Sequence, residues 1–167
     1  MEANGYPNNN MFESASAHSS AFLAPRILVV DDDADIRRLA AKVLAKYGYR
    51  VDAAEDGAAG WEAICRTSYD LLITDHNMPK ISGVELVQML RSARMKLPVV
   101  LASGSLPAEA LDRNSSLRLA ATLLKPFTCD ELLKTVEQIL RTTVWAREPL
   151  RPQPAWQAQA APGNSWL

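Results

Sequence analysis

Apolar residues follow two alternating patterns along most of this chain. Short runs, Ile27 to Val30, Leu71 to Thr74 and Val99 to Ala102, stand between polar or turn-forming residues, while longer stretches repeat their apolar positions every three or four residues. A run apolar at consecutive positions suits a parallel strand buried on both faces, and the longer period marks the helices that cover those faces. The weaker runs Arg50 to Ala54 and Ala121 to Leu124 bring the predicted strands to five. Strands that alternate with helices predict βα units, an α/β fold and a parallel sheet.

Helix boundaries are written locally. Ile36, Leu39, Ala40, Val43, Leu44 and Tyr47 repeat at helical spacing, and Gly48 stands where a C-terminal cap belongs. One face of this first helix is expected to pack on the sheet. Asp33 and Asp35 suit its cap and first turn, where negative charge is favoured. Ser82 with Glu85 and Thr128 with Glu131 are capping boxes opening two later helices, and the last continues through Leu132, Leu133, Val136, Ile139 and Leu140. The helix expected after the fourth strand is interrupted by Asn114, Ser115 and Ser116, which favour turns, so it is expected to be short or mobile.

The ends read differently. Residues 1–25 are rich in Asn, Ser and Ala without a period and read as a flexible leader, which leaves residues 26–144 as the folded domain. Residues 145–167 form a tail of Pro, Ala and Gln that contains Trp145, Trp156 and Trp166. Pro149, Pro152, Pro154 and Pro162 forbid a continuous helix there, which favours a disordered tail. The rival reading is a docking strip, because tryptophans are costly to leave in water and are enriched at binding hot spots.

Length and composition narrow the classes. The 167 residues, 48% of them hydrophobic, suit one domain with a true core plus tails. A net charge of -1 without a basic run gives no bulk attraction to nucleic acid or anionic lipid. No long apolar segment suggests membrane insertion, and Cys65 and Cys129 lack metal-ligand spacing and read as small packing residues. A cytoplasmic protein with reduced thiols is the expectation.

Candidate chemistry lies at the strand ends. Asp31 and Asp32 close the first strand and Asp75 closes the third, so in one parallel sheet three carboxylates reach the carboxyl edge, where open α/β sheets place their sites. Ser103 closes the fourth strand and Lys125 the fifth. Clustered oxygen anions call for a hard cation such as Mg²⁺, which takes one or two direct carboxylates and keeps several waters. A carboxylate in such a site can also act as a nucleophile toward phosphorus. His76 follows Asp75 directly, but a lone loop histidine is more commonly exposed than catalytic.

These residues resemble the receiver domain of two-component response regulators. The resemblance spans about residues 26–144 and rests on Val29-Val30-Asp31-Asp32, on Asp75-x-x-Met78-Pro79-x-x-x-Gly83, on Ser103 and on Lys125-Pro126-Phe127, in family order and spacing. It implies a flavodoxin-like doubly wound sheet of five strands in the order 2-1-3-4-5 with five helices. It also implies phosphorylation of Asp75 by a sensor histidine kinase or a histidine phosphotransfer protein. In the implied roles, Asp32 and Asp75 bind Mg²⁺ directly, Asp31 mainly through water, and the backbone carbonyl of Asn77 completes the protein ligands. Ser103 and Lys125 would contact the phosphoryl oxygens, and the Lys125-Pro126 bond would be cis. Hydrolysis of the acyl phosphate would be self-directed chemistry, so the protein is not expected to be a conventional enzyme. Its output would pass to a downstream protein target, with no direct contact to nucleic acid. Receivers often pair around the last helix, so a weak homodimer is a further expectation, although the exposed positions carry no decisive pattern.

One position departs from the family. Three residues before the lysine the family commonly places an aromatic ring, whereas this chain has Thr122. That keeps a constitutive, receiver-like scaffold in view as an alternative. A Mg²⁺-dependent phosphohydrolase with an aspartyl nucleophile is a weaker one: Asp31-x-Asp33 fits its opening, but Asp130 and Glu131 are best assigned to a helix start.

Overall fold

Five parallel strands, β1 (Arg26–Val30), β2 (Arg50–Ala54), β3 (Leu71–Asp75), β4 (Val99–Ser103) and β5 (Ala121–Leu124), form one sheet in the order β2-β1-β3-β4-β5. This is the order expected of a flavodoxin-like sheet. The computed structural model describes residues 24–105 and 116–143. Helices α1 (Ala34–Lys46), α2 (Gly57–Arg66), α3 (Gly83–Ser92) and α4 (Cys129–Thr143) cover the sheet. Most of the leader, most of the β4–β5 connection, where a fifth helix was expected, and the tail all lie outside the described residues.

Strand alternation divides the core. Ile27 and Val29 face α1 and α4, packing with Ala40, Leu44, Val136 and Leu140, while Leu28 and Val30 face α2 and α3, packing with Ile64, Leu86 and Leu90. The central strands β1, β3 and β4 are therefore buried on both faces, which is why they are legible as unbroken apolar runs.

The caps form as predicted. The Asp33 carboxylate accepts from the backbone N–H of Asp35 and Ile36, and Gly48, just past α1, has φ of 87°, a left-handed conformation that glycine adopts without penalty. Ser82 and Glu85 exchange side-chain and backbone bonds at α3, and Thr128 and Glu131 do so at α4. The face of α1 is narrower than its period suggested, since Ala40 and Leu44 are buried but Leu39 and Tyr47 are 56% and 44% exposed. The cysteines are free, as expected of reduced thiols, but they are exposed on α2 and α4 and do not serve as packing residues. The Lys125-Pro126 bond is cis, as the resemblance implied.

Helix α2 was not placed by apolar period, because Gly57 and Gly60 stand where larger residues would have marked it. Asp56 caps it, accepting from the Ala59 N–H at 2.8 Å, and also holds Lys80, which has φ of 66°. Close packing requires the glycines: a Cβ on Gly57 would lie 2.3 Å from the carbonyl oxygen of Ile81. At the end of α3, Arg91 donates to the carbonyls of Leu117, Met95 and Leu97 at 2.8, 2.9 and 3.1 Å, tying that helix to the chain that enters β5.

Gly83 fixes the turn that carries the site, since a Cβ there would lie 1.9 Å from the carbonyl oxygen of Asp75. Gly83→Ala is expected to cost roughly 3 kcal/mol in urea unfolding. Gly104→Ala, where a Cβ would meet nothing within 4 Å, should change stability by less than about 0.5 kcal/mol.

At the amino edge of the sheet, Asp52 accepts from Arg26 at 2.9 Å and from the Tyr69 hydroxyl at 2.7 Å. Burial, followed by the Asp52 carboxylate, pushes Tyr69 up to about 12. The hydroxyl is thus a donor in the native state after it would have ionised in the unfolded chain. Its contribution to stability is complete below the unfolded value of 10.0 and is lost as pH rises through about 12. An ultraviolet titration should show one tyrosine ionising near that upper value, and Asp52→Asn should lower it.

Candidate functional site

Parallel register brings the carboxyl ends of four strands into one row. Asp75 ends β3 opposite Ala102, Ser103 ends β4 opposite Leu124, and Asp31 and Lys125 follow β1 and β5 directly. The Lys125 ammonium stands between two carboxylates, bonded to Asp31 Oδ2 at 2.7 Å and to Asp75 Oδ1. The acids are enclosed, with side chains 6% and 9% exposed, and the lysine is 20% exposed. One ammonium therefore bridges strands at opposite sides of the chain order, β1 and β5, through the central β3.

The backbone holds the acids in place. The Asn77 N–H donates to Asp75 Oδ2 at 2.7 Å, and the Asp33 N–H donates to Asp31 Oδ1 at 2.9 Å. On either side of His76, its N–H donates to Ala102 and its carbonyl accepts from Gly83, which pins the β3–α3 turn. The Arg37 guanidinium donates to the Asp31 carbonyl at 2.5 Å. That residue was missed from sequence, although a cation near a helix N-terminus runs against the macrodipole and so marks a competing partner.

Electrostatics are unevenly balanced. Burial pushes the Asp31 carboxyl above its ordinary value, and the bonds from Lys125 and Asp33 only partly offset it. Lys125 goes up as well: burial opposes its charge, but hydrogen bonds to Asp31 and Asp75 outweigh that cost. Two anions share one cation, so the ammonium is more than satisfied and the carboxylates are not. By contrast, Asp33 lies below the carboxylate range because the N–H groups of Ile36 and Asp35 bond it, as befits a cap.

The predicted residues are thus gathered in part. Asp31, Asp75 and Lys125 meet, while Asp32 lies exposed on the same edge. Among the described residues no three acidic, histidine or cysteine side chains converge on one point. The donor set nevertheless fits Mg²⁺, which asks for few direct carboxylates. Asp31 and Asp75 are two hard oxygen donors that share one cation, and the exposed Asp32 follows Asp31 directly. Ser103 is buried, but its hydroxyl donates to the Ser105 carbonyl in its own loop instead of facing Lys125. His76, expected exposed, is half-buried with Nδ1 enclosed.

The family model described as the response regulator receiver domain matches residues 27–137. The chain belongs to that family. It is 35% identical over 116 residues to the response regulator receiver protein CpdR of Brucella abortus, covering 69% of this chain and 96% of that one. It is 34% identical to the probable transcriptional regulatory protein SilR of Salmonella typhimurium, covering 70% of this chain but 51% of that one. The chain therefore spans about half the length of such transcriptional regulators. Among solved structures, TrrA of Thermotoga maritima in complex with Mg²⁺ and BeF has a TM-score of 0.62 at 34% identity, covering 70% of this chain and 99% of that one. Chemotaxis protein CheY4 of Vibrio cholerae has a TM-score of 0.65 at 28% identity, with 70% and 99% covered. This receiver domain thus belongs to the response regulators of two-component systems, whose members are signalling proteins. No helix among the described residues is long and apolar enough to cross a membrane.

Loss of the Arg37 contact should act locally. Arg37→Met is expected to speed amide exchange at residues 32–34 about tenfold, the loss of one charge-assisted bond of roughly 1.4 kcal/mol, with little change in global unfolding. Unchanged exchange would mean that Arg37 does not hold the β1–α1 turn.

Proposed function

We propose that this receiver domain accepts a phosphoryl group on Asp75 from a phosphohistidine partner, a sensor histidine kinase or a histidine phosphotransfer protein, and thereby changes its affinity for a downstream protein. The observation that carries this is the enclosed Asp75 carboxylate, held by Lys125 and the Asn77 N–H at the carboxyl edge of the sheet. In the transfer, an Asp75 oxygen attacks phosphorus, a P–O bond forms, and the P–N bond to the histidine breaks. Lys125 offers its ammonium to the incoming phosphoryl oxygens, and Ser103 reaches them by exchanging its bond to the Ser105 carbonyl. Asp32, Asp75 and the Asn77 carbonyl would hold Mg²⁺, with Asp31 acting through water. The ion would supply positive charge at the equatorial oxygens. The Mg²⁺–BeF complex of TrrA supports this assignment by likeness.

Readout need not use an inward-turning ring. Thr122 lies with Leu124, Phe127 and Lys134 around a shallow cavity of about 310 Å³ between β5 and α4. A shift of Ser103 reaches that face through the β4–β5 register, in which Ser103 lies opposite Leu124. In this role the protein would act in the cytoplasm, its acyl-phosphate hydrolysis would be self-directed, and receivers would pair weakly through the same face.

Incubation with acetyl phosphate, followed by intact mass, tests the assignment. A single phosphoryl adduct that requires Mg²⁺ and disappears in Asp75→Ala is expected. An adduct that persists in Asp75→Ala would overturn it, and partner binding unchanged by that substitution would favour the constitutive scaffold.

A further inference from the structure

An apolar groove of about 370 Å³ runs between α1 and α4, with Leu39 and Val43 on one wall, Cys129 and Leu132 on the other, and Phe127 near its upper end. Leu39 is 56% exposed there, on the part of the apolar period of α1 that the sheet does not cover. Lys125 is the one charged residue in the lining, and its ammonium is engaged by Asp31 and Asp75. The groove therefore asks for an occupant that is apolar and uncharged.

We propose that the groove is the docking site of this chain's own C-terminal segment, with Trp156 as the anchor. Residues 152–166 contain no charged side chain, and Trp156 stands between Ala155 and a run of Ala and Gln. Composition and lining thus match. Chain length allows it as well, because the first turns of α4 form one wall of the groove and the segment departs from the far end of the same helix, at Thr143. From Thr143 back to Leu132 is about 16 Å along the helix at 1.5 Å per residue. The roughly 13 residues from Thr143 to Trp156 span up to about 40 Å at polyproline extension, enough to turn and reach the groove. Trp145 follows Thr143 too closely to do so. Pro149, Pro152 and Pro154 reduce the freedom of the approach and so lower the entropy lost on docking. An indole in the groove would cover Leu39, which is the contact that the exposed leucine lacks.

Cys129 supplies a native reporter, being exposed and in the lining. In the full chain carrying Cys65→Ser and Gln157→Cys, mild oxidation of a dilute solution should give an intramolecular disulfide about tenfold faster than with Asn164→Cys in place of Gln157→Cys. Adding Leu39→Glu should slow it by about tenfold with the circular dichroism spectrum unchanged, since that residue is exposed. Equal rates at positions 157 and 164, or indifference to Leu39→Glu, would overturn the proposal. A disulfide-linked dimer as the main product would also overturn it and assign the groove to a second copy of the chain.

Discussion

The structure depends on one ammonium held between two enclosed carboxylates. Lys125 reaches from the end of β5 across the carboxyl edge to Asp75 on β3 and Asp31 after β1. Enclosed carboxylates are tolerated only when paired and bonded, and here two of them share a single positive charge and two backbone N–H groups. That arrangement is stable enough to hold the sheet edge together and leaves negative charge uncompensated. The surplus is what makes the edge receptive to a cation. The same surplus means that converting one carboxylate into an acyl phosphate redistributes every partner in the cluster.

The scaffold serves this placement. Strand register sets Asp75 beside Ala102 and Ser103 beside Leu124, so chemistry-bearing residues occur where each strand stops. Gly83 admits the Asp75 carbonyl where any Cβ would collide, and the bonds at His76 keep the following turn from opening. Asp33 caps α1 and at the same time orients Asp31 through its N–H, which joins helix initiation to the site. Arg37 adds a second tie on the same turn.

Much of this was legible in the sequence because burial on both faces turns a strand into an apolar run. The five strand predictions differ from the structure by at most one residue at an end, and the capping boxes at Ser82 and Thr128 form. Helix α2 escaped notice because Gly57 and Gly60 make its packing depend on the absence of side chains, which leaves Ile64 as the one large residue among its buried positions. Leu39 and Tyr47 were assigned to the sheet-facing stripe, since periodicity gives angular position on a helix and not the width of the surface that covers it. The acids at positions 31, 32 and 75 were legible as a group, but their orientations were not. Asp31 turns inward to Lys125 and Asp32 lies at the surface, a difference fixed by turn geometry that residue spacing does not encode. The rotation of Ser103 toward Ser105 is likewise a choice among rotamers.

If the Lys125 cluster is the electrostatic centre of the domain, its members must be coupled. A double-mutant cycle with Lys125→Met and Asp75→Asn, measured by urea unfolding without divalent cations, tests this most directly. A coupling free energy above about 1 kcal/mol between the two substitutions is expected. Effects that add to within about 0.3 kcal/mol would contradict it, because the ammonium and the carboxylate would then be neighbours without a shared energetic role.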